Sequence, residues 1–108
     1  MTPVVLLVGQ LENVISSAAT DLNDRPVRWL GAHSREQVAE QLEAEPAIAA
    51  AIIGGTLPDQ VRGDIVAAIA AARPDICIYV KARASGPDAF KDFVSQVVDR
   101  MVLPGGSA

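Results

Sequence analysis

The residues of this chain that could do chemistry are few, and they stand at the ends of apolar runs. Gly54-Gly55-Thr56 follows one run, while Gln10, Lys81 and Arg83 follow two others. Glycine lets backbone approach a ligand closely, helix N-termini offer free amides to anions, and Lys81 and Arg83 would add positive charge. Together these six residues form a candidate anion- or nucleotide-binding set. Gly-Gly-Thr has the spacing of neither phosphate-loop fingerprint, however, and no acid stands where a ribose would need one. The competing reading of the glycine pair is a tight turn. His33, the only histidine, adjoins Ser34. Adjacent side chains do not make a nucleophile and its base, and Ser34 with Gln37 three residues on reads as a capping box. Cys77 lies inside an apolar run with no cation beside it, which predicts an inert core thiol. No catalytic residue, metal ligand or cofactor is assigned.

Four apolar runs, each closed by a helix-type stretch, must position these residues. Pro3-Val4-Val5-Leu6-Leu7-Val8-Gly9 is continuous and rich in β-branched residues, as a strand buried on both faces requires. Leu11, Val14, Ile15, Ala18, Ala19 and Leu22 then recur at three- and four-residue steps, leaving Ser16 and Thr20 off the stripe. Val27-Arg28-Trp29-Leu30-Gly31 alternates apolar and polar residues and predicts an edge strand with one exposed face. Val38, Ala39 and Leu42 give the next helix its inner stripe before Pro46 forces a break.

Ala47 to Ile53 is the second central run, after which Thr56, with Pro58 and Asp59 behind it, marks a helix start. Val61, Ile65, Val66, Ala68, Ile69 and Ala72 supply the buried stripe of that helix. Ile76 to Val80 is the fourth run, and Pro87 can open a last helix whose inner stripe is Phe90, Phe93, Val94, Val97, Val98 and Met101. Every strand-to-strand connection carries its own helix, so the sheet should be parallel, and right-handed crossovers favour the strand order 2-1-3-4. The expected fold is α/β: a three-layer αβα domain over residues 1–103, helices on both faces of a four-stranded parallel sheet, with 104–108 as a flexible tail.

A chain of 108 residues fits one such domain. Hydrophobic residues at 50% and charged residues at 20% exclude the disordered class. The single cysteine excludes an intramolecular disulfide and fits a reducing cytoplasm. No run approaches the roughly 20 apolar residues of a membrane helix. A net charge of −4, without a basic stripe or interleaved aromatics, argues against nucleic acid as a partner.

This layout resembles the receiver domain of two-component response regulators, a flavodoxin-like module, over most of the chain. The resemblance implies a phosphorylation-driven signalling fold, and the family keeps an acidic pair after the first strand to hold magnesium. Gly9-Gln10 stands there instead. The family's phosphate-accepting Asp at the end of the third strand is replaced by Ile53-Gly54-Gly55, and its Ser or Thr after the fourth corresponds to Lys81 or Ala82. Its fifth strand, with a lysine, has no counterpart. The implied reading is a truncated, degenerate pseudo-receiver: not an enzyme, but a regulatory module that binds a protein partner.

Without a fifth strand, the run from Ile76 to Val80 becomes a sheet edge that needs a cover. One expectation is a homodimer through Ile76, Ile78 and Val80, or through the Phe90, Phe93 and Val97 face of the last helix. The other is that the segment from Lys81 to Gly86, or the last helix, folds over the edge. Trp29, on the opposite edge strand, is a further candidate contact anchor.

Overall fold

The computed structural model describes residues 3–9, 16, 19–20, 27–54, 57–81 and 90–100. Its elements are β1 (Val4–Val8), β2 (Arg28–Ala32), α1 (Arg35–Ala44), β3 (Ile48–Ile53), α2 (Asp59–Ala72), β4 (Cys77–Val80) and α3 (Phe90–Arg100). All neighbouring strands run parallel, in the order β2-β1-β3-β4. This is the expected αβα arrangement. The sequence pattern for a helix after β1 falls mostly outside the described residues; Ser16, Ala19 and Thr20 are helical, with Ala19 packed inward and the other two exposed.

Each face of the sheet has its own core. On one face Leu6, Val8, Ile48 and Ile53 meet Val38 and Leu42 of α1 and Ile65 and Ile69 of α2. On the other, Val5, Leu7 and Ile52 meet Val94, Val97 and Val98 of α3. Every side chain of β1 is fully buried, which only a strand bonded on both edges and covered on both faces can achieve. Burying each of these aliphatic groups contributes about 1.5–3 kcal/mol relative to exposure.

Strict alternation would put Ile48 and Ala51 on opposite faces, yet both pack with α1 and α2. A register shift resolves this, because Val4 pairs with Ile48 while Val5 pairs with Ala50. Ala49 is thus the extra residue of a β-bulge that turns the rest of β3 over by one position.

The helix ends follow local chemistry. Ser34 caps α1, its hydroxyl accepting from the Gln37 N–H at 3.2 Å. The reciprocal bond goes one residue further out than a capping box has it, from the His33 N–H to Gln37 Oε1 at 2.6 Å. α1 stops at Ala44, before Pro46, whose predecessor is driven to extended geometry. α2 starts at Asp59, not at the expected Thr56, which lies outside the described residues. Pro58 takes the N-cap position without a side-chain bond, and Asp59 places a carboxylate on the positive end of the helix.

Two expectations about the edge strands need correction. β2 does not leave one face exposed, since Trp29 packs toward the α3 layer while Leu30 packs toward α1 and α2. Cys77 is exposed, not core, because β4 is an edge strand whose first residue no described helix covers. Ala72, placed in the buried stripe of α2 by its spacing, is also exposed, as the last residue of the helix.

Candidate functional site

In an open parallel sheet the carboxyl ends of the strands gather the loops that carry chemistry. Here those ends are joined by backbone. The Gly9 N–H donates to Ala32 O at 3.1 Å, the Gly54 N–H to Val8 O at 2.7 Å, and the Lys81 N–H to Ile53 O at 2.9 Å. Of the six candidate anion-binding residues, Gly54 and Lys81 are described, and both are buried at this rim. Gln10, Gly55, Thr56 and Arg83 lie outside the described residues. Lys81 is only 2% exposed, so its position at the end of β4 encloses it within the fold.

His33 and Arg62 brace the rim. His33 Nδ1 lies 3.1 Å from Gly9 O, and since a carbonyl only accepts, Nδ1 is the donor in this contact. The ring thereby ties the end of β2 to the end of β1. Arg62 donates from Nη1 to Lys81 O at 2.7 Å and from Nη2 to Asp59 Oδ1 at 2.9 Å, which ties α2 to the end of β4. Nothing in the sequence reading pointed to Arg62; its one signal was the spacing of three residues from Asp59.

A cleft of about 330 Å³ opens beside the rim, lined by His33, Ser34, Arg35, Glu36, Val61 and Asp64. Two carboxylates against one guanidinium give it no electrostatic preference for an anion. A second cleft, about 350 Å³, runs between α1 and α2 over Ala39, Leu42, Glu43, Ala68, Ala72 and Arg73. Among the described residues, no cluster of three His, Cys, Asp or Glu side chains could hold a metal ion.

The candidate interface residues separate into spent and available ones. Ile76 and Val97 are buried, and Phe93 is partly buried against the α3 core. The apolar face of α3 is therefore occupied within the fold, because it is what covers the second face of the sheet, and it offers no docking surface through Val97. The Phe90 side chain lies outside the described ones. Trp29 and Ile78 are half-buried, and Val80 is 47% exposed, the one large hydrophobic among the described residues with such exposure. Tyr79 lies on the α3 side of β4 with Cys77 two residues before it. Burial first, and then the neighbouring Cys77 side chain, push the Tyr79 phenol above its ordinary range.

The same backbone recurs in known structures. It matches a de novo designed Rossmann 2x2 fold protein with a TM-score of 0.68 at 15% identity, covering 99% of this chain and 93% of that one. It matches the non-phosphorylated HemR receiver domain from Leptospira biflexa with a TM-score of 0.65 at 20% identity, over 94% and 98%. The fold is receiver-like. A second designed Rossmann fold protein aligns with a TM-score of 0.60 at 18% identity, over 93% and 100%. No family model matches the sequence, and neither does any curated protein. Identities this low carry the receiver-like, flavodoxin-like architecture and nothing finer. No helix among the described residues is long and apolar enough to cross a membrane.

Proposed function

We propose that this chain is a non-catalytic regulatory module, a pseudo-receiver that acts by binding a protein partner rather than by accepting a phosphoryl group. The observation that carries this reading is the rim itself. At the ends of β1 and β3, where receivers keep acids, Gly9 and Gly54 place only backbone, and their N–H groups are engaged in the sheet. A glycine has no side chain to take up a phosphoryl group or to bind magnesium. His33 and Arg62 donate to the main-chain carbonyls of Gly9 and Lys81 at this rim and so act as braces. A scaffold built in this way offers a fixed surface, and fixed surfaces suit recognition with little ordering cost.

Incubation with acetyl phosphate and magnesium, followed by intact-protein mass measurement, tests the reading. An unchanged mass is expected; addition of one phosphoryl group would overturn it.

A further inference from the structure

The seam between α1 and α2 carries a charge pattern that the fold itself does not answer. Both clefts described above lie along it, one beside the rim and one toward the far ends of the helices. On α2 its wall runs through Val61, Asp64, Ala68 and Ala72, at steps of three and four residues that cover about 16 Å of helix. On α1 the facing residues are Glu36, Ala39 and Glu43, with the exposed Glu40 one step further out. Small apolar side chains thus line the groove between flanking carboxylates on both helices.

These carboxylates have no cation of their own. Among the described residues, the side chains of Glu36, Glu40, Glu43 and Asp64 take part in no ion pair or hydrogen bond. Arg28, Arg62 and Arg73 each meet a different acid, namely Glu45, Asp59 and Asp75. Arg35 stands at the rim end of the seam, away from Glu43. The spacing also works against α1. Glu36, Glu40 and Glu43 follow one another at steps of four and three, where like charges repel, and the last turn of α1 holds no base to balance the negative end of the helix dipole. The interior does not require this arrangement, since the buried residues of α1 are Val38 and Leu42. A cation brought from outside relieves it. This chain cannot supply one in the right pattern, as a covering segment or as a second copy, because no two of its nine Lys and Arg residues stand three or four apart on a helix of the fold.

We infer that the seam docks a basic amphipathic helix of another protein, its lysines or arginines meeting Glu36, Glu43 and Asp64 and its apolar side chains seated against Ala39, Ala68 and Ala72. A helix fits because the groove runs for about three turns between two helices whose backbone groups bond along their own axes, leaving no edge for a strand to pair with. The alanines let the incoming helix approach closely. This inference gives the interaction module's partner its chemistry and rests on that reading.

The probe is a set of synthetic helical peptides of about 15 residues, with lysine at i, i+4 and i+7 beside a stripe of alanine, valine or leucine. Titrated into the isotope-labelled chain, at least one should bind saturably and move the amide signals of Ala39, Glu43, Ala68 and Ala72 ahead of those of β4 and α3. Glu43→Lys should weaken that peptide roughly tenfold or more, whereas Asp92→Lys, the same charge change at an exposed position of α3, should weaken it less than about twofold. Ala39→Trp, which fills the groove from an exposed position without altering charge, should also weaken it roughly tenfold. Glu43→Lys should hold or raise the thermal midpoint, because it places a base at the negative end of α1, so that lost binding is not lost fold. No saturable binding by any peptide up to millimolar concentration would overturn the inference. Equal binding of a peptide with the same residues scrambled, or equal weakening by Asp92→Lys, would also overturn it, since either shows only general attraction to a chain of net charge −4. A chain that binds the peptide yet takes a phosphoryl group from acetyl phosphate loses the non-catalytic reading and keeps the groove; a chain that does neither loses the groove alone.

Discussion

Arg62 reaches from the first turns of α2 to the carbonyl oxygen of Lys81 at 2.7 Å, so the end of β4 is held by a helix that precedes it in the chain. The same guanidinium donates to Asp59 Oδ1 at 2.9 Å, and the Arg62 side chain is only 12% exposed. Removing it leaves the Lys81 carbonyl without this donor in a partly buried place. Arg62→Ala is expected to lower unfolding free energy by about 1.5–3 kcal/mol, the range for a hydrogen bond to a charged group. Urea denaturation measures this, and a loss under about 0.5 kcal/mol, the size of an ordinary surface substitution, would contradict the bracing role.

At the opposite rim, Arg73 does comparable work. It donates from Nη2 to Pro46 O at 3.2 Å and to Ile48 O at 3.1 Å, and it forms a two-point pair with Asp75. α2 is thereby pinned to the entrance of β3. Arg73→Ala should cost about 1–3 kcal/mol in the same assay, chiefly through the lost carbonyl contacts, because an exposed ion pair contributes little by itself.

Asp75 gives that clamp a pH dependence. The hydrogen bond from Arg73, then one from backbone, holds its carboxyl below the usual range. A carboxyl depressed in the folded state stabilises the fold above its unfolded value near pH 3.9, and the contribution is lost as pH falls through the lower folded value. Asp75→Asn should therefore flatten the fall in thermal midpoint between about pH 4 and pH 2. A parallel curve for the variant would show that the pair does not couple to folding.

Gly63 lies in the second turn of α2, exposed, and a Cβ built there meets nothing within 4 Å. With no close approach to protect, alanine should recover helix propensity. Gly63→Ala is expected to add about 0.5–1 kcal/mol, a rise of a few degrees in midpoint. Destabilisation would mean that this helix face contacts something in solution.

Ser34→Ala should lower stability by about 1 kcal/mol, because it strips the Gln37 N–H of its acceptor at the start of α1. Ser34→Asp, which restores an acceptor and adds charge at the helix N-terminus, should recover most of that loss.

The strand order and the helix faces were legible in the sequence because burial on two faces writes continuous runs such as Val4 to Val8, and burial on one writes the steps of Val94, Val97 and Val98. The bulge at Ala49 was not, since consecutive alanines look alike on either face and carry no parity. Cys77 misled because an apolar run signals a strand without saying whether it is an edge. The spacing that makes Val97 a docking candidate is the same spacing that seats it in the core. Arg62 escaped notice because its partner is a backbone carbonyl, and main-chain acceptors leave no mark in sequence. The rim of glycines, by contrast, was visible from the start, since what it lacks is a side chain.

Native mass spectrometry of freshly purified protein bears most directly on the central claim, because one spectrum reports both subunits and retained small molecules. A regulatory module that binds protein, with a carboxyl rim made of backbone, predicts a dimer of the bare chain mass. A species heavier by a fixed small mass would show a ligand held in the fold and contradict that account.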